Sequence, residues 1–385
     1  MTGPATSDPI IRVRSRILRI PTIRPHALSV ATMQDQRTVL LEIETESGIA
    51  GVGEAATIGG LAYSDESPDS IKLTLDRYFA PLLVGEDAGS FGQLIERVNK
   101  SAVGNFFAKM AVETALLDIA GKRAGLPISE LLGGRRDGSL EVAWTLASGD
   151  TAQDIEEGAR VLADKRHRHF KLKIGKRVWQ EDVAHCRAIA DQFAGKATVR
   201  VDLNQAWDFT TAKMAVPALA EAGVVLVEQP LAADDLSGAR TLRETTPVAI
   251  MADEALRGGT GPAMKIAAAG AADVFALKIA QAGGLFPCRA VAEIARASGL
   301  GLYGGTMLEG PVATVASAHL FSTFPEFEWG TELFGPLLLT DSFIDSPLEY
   351  SAFGLQVPKG PGLGISLDEE KVAEFEARDL AATGA

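Results

Sequence analysis

The chain has 385 residues, 46% of them hydrophobic and 23% charged, and 37 Lys and Arg against 50 Asp and Glu give a net charge of −13. That length holds two or three average domains, or one large barrel with a smaller partner, and a core of that size needs no disulfide or metal staple. The acidic balance argues against nucleic acid as a partner, since phosphates demand a basic face, and no apolar run reaches the roughly 18 residues of a membrane span.

The opening residues MTGPATSDPI lack the charged and apolar regions of a signal peptide. Cys186 and Cys288 stand in helix-like segments and form no metal-ligand pair. Free thiols in a reducing cytoplasm are therefore expected.

Residues 11–54 read as strands, IRVRSRILRI and then TVLLEIETESGIAGVGEA with the turn signal ESG inside it. Between these runs PTIRPHALSVATMQ carries two prolines and reads as a loop, and ATIGGLAYSDESPDS (56–70) reads as a second. Helical periodicity follows in SIKLTLDRYFAPLL, GQLIERVNKSA and NFFAKMAVETALLDIAGKRAG. Residues 1–135 thus form an α+β unit.

From LEVAWTL onward short β-rich runs alternate with helices. Strands are placed near 140–146, 168–173, 198–203, 223–228, 248–252, 273–278, 298–303 and 327–332. Eight strands with intervening helices over 136–341 suit an α/β barrel. An open sheet would carry a glycine-rich phosphate loop after its first strand, and here only ASGD follows. The tail, 342–385, is punctuated by Pro and Gly and ends in the acidic helix LDEEKVAEFEARDL, which is expected to pack back on the N-terminal unit.

Within the barrel region three acids end apolar runs: Asp202 in VRVDLN, Glu228 in VVLVEQP and Asp253 in VAIMADE, with Glu254 beside it. Lys171 and Lys173 lie upstream in HFKLKIG, and Lys278 lies downstream in VFALKIA. From Lys173 the steps to Asp202, Glu228, Asp253 and Lys278 are 29, 26, 25 and 25 residues. A βα unit has that length, and a barrel gathers the C-terminal ends of its strands at one mouth. Three hard oxygen ligands favour Mg²⁺ or Mn²⁺ over zinc, and such an ion acts as a Lewis acid on a substrate carboxylate. Removing a proton α to a carboxylate builds up enolate charge, which a metal and lysines stabilise.

Lys171 and Lys173 alternate with Leu172 and so share one strand face. Their repulsion is expected to lower the pKa of one of them into the range of an acid–base catalyst. Taken singly, each of these residues has a bland reading: an acid at a strand end is usually a cap or a surface charge, and Lys-x-Lys is common on edge strands. The ordered combination carries the signal. His167 and His169 suggest a ligand pair but fall in a solvated turn, KRHRHF, and are read as structural. His185 and His319 are read as helical packing residues, and His26, in the proline-rich loop beside Arg24, as ambiguous.

These motifs, together with LYGGTMLEG (302–310), WGTELFGPLLLT (329–340) and the segments PTIRPHALS and GEAATIGGLAYSDESP, resemble the enolase superfamily in its muconate lactonizing subgroup. The resemblance spans nearly the whole chain. It implies an α+β capping domain built from both chain ends and a modified (β/α)₇β TIM barrel. It also implies metal ligation by Asp202, Glu228 and Asp253, acid–base lysines Lys173 and Lys278, and Lys171 as the electrostatic neighbour of Lys173. Glu332 matches an acid that hydrogen-bonds near the site; of the other residues within the matched motifs, Asn204 is expected to contact substrate and Glu254 to stand behind the metal ligands. Cap loops set specificity in this subgroup, with Ile58, Tyr63 and the 21–30 loop as the expected contacts.

The reaction so implied is the reversible conversion of cis,cis-muconate, a small dicarboxylate, to muconolactone in the β-ketoadipate pathway of aromatic catabolism. The enzyme would be a homo-oligomer, octameric in many relatives of this kind. Dipeptide epimerases of the same subgroup hold a substrate ammonium with Asp-x-Asp, whereas this chain reads Thr331-Glu332-Leu333. N-acylamino acid racemases and o-succinylbenzoate synthases share the core and differ mainly in cap loops; chloromuconate cycloisomerases differ in the 50s loop, where TIGGLAY resembles the ordinary muconate type. Two readings of other classes are a barrel that binds without turnover and a metal-independent Schiff-base aldolase. The ligands and opposed lysines are all present, which counts against the first, and metal dependence separates the second.

Overall fold

The computed structural model describes residues 7–27, 32–325 and 327–383. The chain opens with an antiparallel sheet, β1 (Ile10–Ala27), β2 (Thr32–Thr45) and β3 (Ala50–Ala56), in the order β1-β2-β3. Apolar side chains such as Leu18, Ile20, Val39 and Leu41 are buried by this sheet.

The helix Phe106–Ala124 packs on β3 and is buried almost all round, Lys109, Glu113 and Asp118 included. The approach is backbone to backbone: a Cβ at Gly53 would sit 2.0 Å from the carbonyl oxygen of Ala111, and one at Gly51 2.2 Å from that of Ala115. Only glycine fits at these two strand positions.

The proline-rich segment expected as a loop is mostly strand. β1 runs on to Ala27, with Pro21 opposite Asp35 and a break in register between Pro21 and His26. A strand at the edge of its sheet tolerates a proline that cannot donate to the ladder. Part of the expected 21–30 loop, from residue 28, lies outside the described residues.

The barrel sheet has seven parallel strands in the order β11-β10-β9-β8-β7-β6-β5. They are β5 (Trp144–Leu146), β6 (His169–Lys173), β7 (Thr198–Asp202), β8 (Val224–Glu228), β9 (Ala249–Ala252), β10 (Val274–Leu277) and β11 (Gly301–Gly304). Helices connect them close to the expected positions. Leu226, Met251, Val274, Ala276 and Tyr303 form the packed interior.

Two expectations are corrected here. The run 140–146 is two strands, because β4 (Leu140–Glu141) leaves the barrel to pair with Gly354–Leu355 in a small antiparallel sheet. The strand expected near 327–332 reduces to bridges at Thr331, which pairs with Val142 on one side and Gly304 on the other. Gly330 at φ 69° and the turn from Glu332 to Phe334 leave no room for a longer ladder. Thr331 nevertheless spans the seam between the first and last barrel strands.

The C-terminal helix Glu369–Thr383 returns to lie on β1. Arg37 donates to Asp379 at 2.7 Å, Arg16 meets Glu369 at 3.3 Å and Arg14 meets Glu376 at 3.4 Å.

Candidate active site

Parallel register sets the site. Lys173 is paired with Asp202 and Asp202 with Glu228, so the three stand side by side at the ends of β6, β7 and β8. Asp253 directly follows β9 and Lys278 directly follows β10. All five gather at the C-terminal mouth of the barrel, as the spacing predicts. Asp202 and Glu228 are 1% exposed and Asp253 is 0%.

Each lysine is matched to acids. Lys171 Nζ lies 2.5 Å from Glu228, 2.6 Å from Glu332 and 3.6 Å from Asp202. Lys173 Nζ donates to Asp202, and Lys278 Nζ lies 2.6 Å from Asp253. For Lys171 the geometry gives the reverse of a lowering by its neighbour Lys173. Burial does disfavour the Lys171 ammonium, but Glu228 and Glu332 outweigh burial and hold its pKa well above the ordinary value. Lys278 is likewise raised, Asp253 and Glu228 overcoming its burial.

The acids respond in opposite senses. Burial opposes ionisation of Asp202, but Lys173 and Lys171 prevail and keep its pKa below the carboxylate range. Glu228 is pushed well above that range, by burial first and the Asp202 charge second. Glu254 is pushed up to about 7 by burial and by Asp253 and Asp202.

The pocket in front of these groups is lined by Lys171, Lys173, Lys278, Glu332, Asn204, Ile58 and Tyr63, and also by His26, Thr145, Thr306, Leu308 and Phe334. It encloses about 20 Å³ of free space, room for one or two waters. Ile58 is 6% exposed and presents an apolar wall. Tyr63 reaches further in than a rim contact would: its hydroxyl donates to Asp253 Oδ2 at 3.0 Å and accepts from Lys278 at 3.4 Å. Asn204, at φ 43°, spends its amide on Asp202 at 3.2 Å and Glu254 at 3.0 Å, while its carbonyl oxygen accepts from Lys173 at 3.4 Å.

The histidines divide differently from the sequence reading. His167 is fully buried, stacked on Trp144 with Nδ1 on the Val142 carbonyl oxygen, so it is structural as expected but not solvated. His169 bridges Glu141 and Thr198. His26 is the one that faces the pocket, and neither of its ring nitrogens has a hydrogen-bond partner among the described residues.

Other contributors escaped the sequence reading altogether. Gln229, at φ 35°, accepts from the backbone N–H of Asp253 and of Ala255 and so aims Asp253. Gln281 donates to Asp253 at 3.1 Å. Gly305 leaves space for Lys278, whose Cε would lie 2.7 Å from a Cβ there. The motifs VEQP and LYGGT contained Gln229 and Gly305, but nothing in their spacing marks a positioning role.

Comparison with known proteins fits this geometry. Residues 12–133 match the family "Mandelate racemase / muconate lactonizing enzyme, N-terminal domain", and residues 154–371 match "Enolase C-terminal domain-like". The chain belongs to the mandelate racemase/muconate lactonizing enzyme family of the enolase superfamily. Among family members it is 55% identical to muconate cycloisomerase 1-2 of Acinetobacter lwoffii, over 96% of this chain and 95% of that one. Chloromuconate cycloisomerase of Delftia acidovorans is more distant, 40% identical over 94% of this chain and 98% of its own. The fold superposes with a TM-score of 0.94 on the muconate lactonizing enzyme of Pseudomonas fluorescens complexed with muconolactone, at 51% identity and covering 96% and 100% of the two chains.

Muconate cycloisomerases of this superfamily depend on a divalent metal, and the donor chemistry here fits one. Written fully ionised, Asp202, Glu228, Asp253, Glu254 and Glu332 face only Lys171, Lys173 and Lys278, which leaves two negative charges unmatched in a buried cluster. The expected site is not a ready-made cage, however. Among the described residues no three His, Cys, Asp or Glu side chains are gathered as an ion holder, because the lysines take up the carboxylate oxygens of Asp202, Glu228 and Asp253.

Proposed function

We propose that the chain is a muconate cycloisomerase that interconverts cis,cis-muconate and muconolactone. The observation that carries this reading is the placement of Lys173 and Lys278 on opposite sides of one pocket, four strands apart in the barrel sheet, with the acid row between them. A substrate lying across that row meets an ammonium group on either side.

In the forward direction one substrate carboxylate oxygen forms a bond to the carbon β to the other carboxylate, closing a five-membered ring as the π bond of that second alkene breaks. The π electrons move toward the other carboxylate and give an enolate. The Lys173 ammonium then donates its proton to the α-carbon, the new C–H bond forming as the N–H bond breaks. In reverse the Lys173 amine takes that proton back. Lys171, held charged between Glu228 and Glu332, supplies fixed positive potential behind Lys173. A divalent ion, Mn²⁺ or Mg²⁺, held by Asp202, Glu228 and Asp253 would supply Lewis-acid stabilisation of the developing negative charge.

Ile58 and Tyr63 are assigned as the cap contacts that shape the pocket over the substrate. Asn204 holds Lys173 and Glu254 in place and offers less to the substrate than a free amide would. Glu332, engaged by Lys171, does not offer the paired acids that would hold a substrate ammonium, which disfavours dipeptides. A cytoplasmic enzyme working as a homo-oligomer completes the reading; size-exclusion chromatography with light scattering tests the assembly. The deciding experiment is the ultraviolet assay of cis,cis-muconate consumption with added Mn²⁺, run beside a chloromuconate and a dipeptide. Faster turnover of either competitor would displace the assignment.

A further inference from the structure

Leu308, in the segment that follows β11, stands at φ 58°, a left-handed conformation that leucine rarely adopts. Glycine would take it without strain. Glycine does stand nearby, at 305 and 310, where Lys278 and Glu54 come too close for a Cβ. Position 308, whose backbone calls for glycine most, holds leucine instead. Among the described residues eight non-glycine positions have positive φ, and two of them, Asn204 and Leu308, line the substrate pocket. Asparagine tolerates the conformation; leucine keeps it only where its surroundings impose it.

Here they do. Gln36, on β2 of the capping domain and 2% exposed, donates its amide to the Leu308 carbonyl oxygen at 2.7 Å and to that of Met307 at 3.3 Å. The Leu308 N–H donates to Thr306 Oγ1 at 2.9 Å, and that hydroxyl donates in turn to Glu309. Both backbone polar groups of Leu308 are thus taken up, and what it presents to the pocket is its side chain. The charged lining of the pocket serves the carboxylates and the proton. Leu308, with Ile58 and Phe334, supplies apolar lining suited to the uncharged carbon chain between them. With about 20 Å³ of free space the wall has little slack.

We propose that Leu308, held in its left-handed conformation by Gln36, is a specificity-determining residue whose side chain packs on the carbon chain of the substrate and excludes muconates that carry a substituent there. Gln36 is a positioning residue, acting from the capping domain through the Leu308 carbonyl. The backbone strain at 308 persists because glycine would relieve it only by leaving the wall open. This deepens the muconate cycloisomerase reading and rests on it.

The test compares kcat/KM for cis,cis-muconate and for a monochlorinated muconate, using the full-length metal-loaded enzyme. Leu308→Ala should raise the ratio of chlorinated to plain substrate at least about tenfold, the scale on which one methylene-sized group counts in a hydrophobic pocket. Gln36→Leu leaves the wall residue in place but frees its carbonyl, and should move the ratio the same way by a smaller factor. It carries the same test should the truncation fail to fold. Leu308→Gly should shift the ratio as Leu308→Ala does yet melt at a higher temperature than Leu308→Ala, because its backbone is at ease with positive φ. Variants with a native circular dichroism spectrum in which both substrates lose kcat/KM alike, leaving the ratio unmoved, would overturn the proposal. So would a Leu308→Gly enzyme that melts below Leu308→Ala, since the strain would then be absent. A wild type that does not convert cis,cis-muconate at all would instead remove the functional reading beneath it.

Discussion

The Tyr63 hydroxyl reaches across from the capping domain to donate to Asp253 Oδ2 at 3.0 Å. Tyr63 is itself held from the barrel side: Arg257 donates to its carbonyl oxygen at 2.8 Å, and its ring lies between Arg257 at 5.7 Å and Lys278 Nζ at 5.6 Å. One side chain thus fastens the 57–66 loop to the catalytic end of the barrel. Tyr63→Phe keeps the ring and removes the hydrogen bond to a charged acceptor, which should cost about 2 kcal/mol, roughly a thirtyfold loss in kcat/KM. Arg257→Ala should speed amide hydrogen exchange in residues 57–66; unchanged protection there would show that the loop is held by other contacts.

Lys173→Ala should abolish turnover while the protein stays folded and still binds Mn²⁺. The fold does not depend on this side chain, which is partly exposed, and Asp202 keeps Lys171 as a neighbour. Isothermal titration with Mn²⁺ together with the muconate assay checks both halves. Near-normal lactonization would remove Lys173 from the acid–base role.

Chelation should stop activity without unfolding the chain, because Asp202, Glu228 and Asp253 already have lysine partners. The melting temperature should rise on adding Mn²⁺ or Mg²⁺ and keep rising with its concentration, as mass action requires. Activity that survives exhaustive chelation would speak for a metal-independent reaction.

His26 is fully buried, and burial first, then Arg24 and Lys173, holds its pKa down at about 3. It is therefore a neutral donor and acceptor in the pocket across the working range, with no partner among the described residues. His26→Ala should raise KM for muconate more than it lowers kcat. The pH profile of the wild type should show no inflection near 6.5 that this substitution removes; if one disappears, His26 titrates in the complex.

Glu54 is wholly buried between cap and barrel, accepting from Thr38 Oγ1 and from the N–H groups of Gly310 and Ala313 at the start of the helix Pro311–Phe321. Burial pushes its pKa up to about 7 from 4.5 in spite of these donors. A raised carboxylate pKa stabilises the fold most below 4.5, and that contribution is lost as pH rises toward 7, on the order of 3 kcal/mol in all. Glu54→Gln should flatten this part of the stability–pH curve measured by chemical denaturation. A slope equal to that of the wild type would place the titration elsewhere.

The reach of the sequence was uneven for physical reasons. Barrel strands announce themselves because each is a short apolar run buried on both faces, and the position of Asp202 or Lys278 follows from counting βα units. Thr331 defeats that logic: it closes the barrel with bridges on both sides, and a single paired residue has no periodicity to detect. His26 was obscured by the prolines around it, which read as a loop although an edge strand accommodates them. The electrostatics of Lys171 could not be read from Lys-x-Lys, since what governs its charge is Glu228 and Glu332, brought up from 57 and 161 residues further along the chain. Gln229 and Gly305 act through one hydrogen-bond geometry and one empty volume, neither of which leaves a compositional mark.

The C-terminal helix on β1 has a consequence for how the molecule is made. Arg37 and Arg16, near the start of the chain, wait for Asp379 and Glu369 at its end. On the ribosome the first sheet therefore emerges long before its covering helix exists, with a face of apolar and basic side chains uncovered while the whole barrel is still being translated. Contacts of such sequence separation are closed late and slowly. The capping sheet is synthesised ahead of the barrel yet is completed only after it.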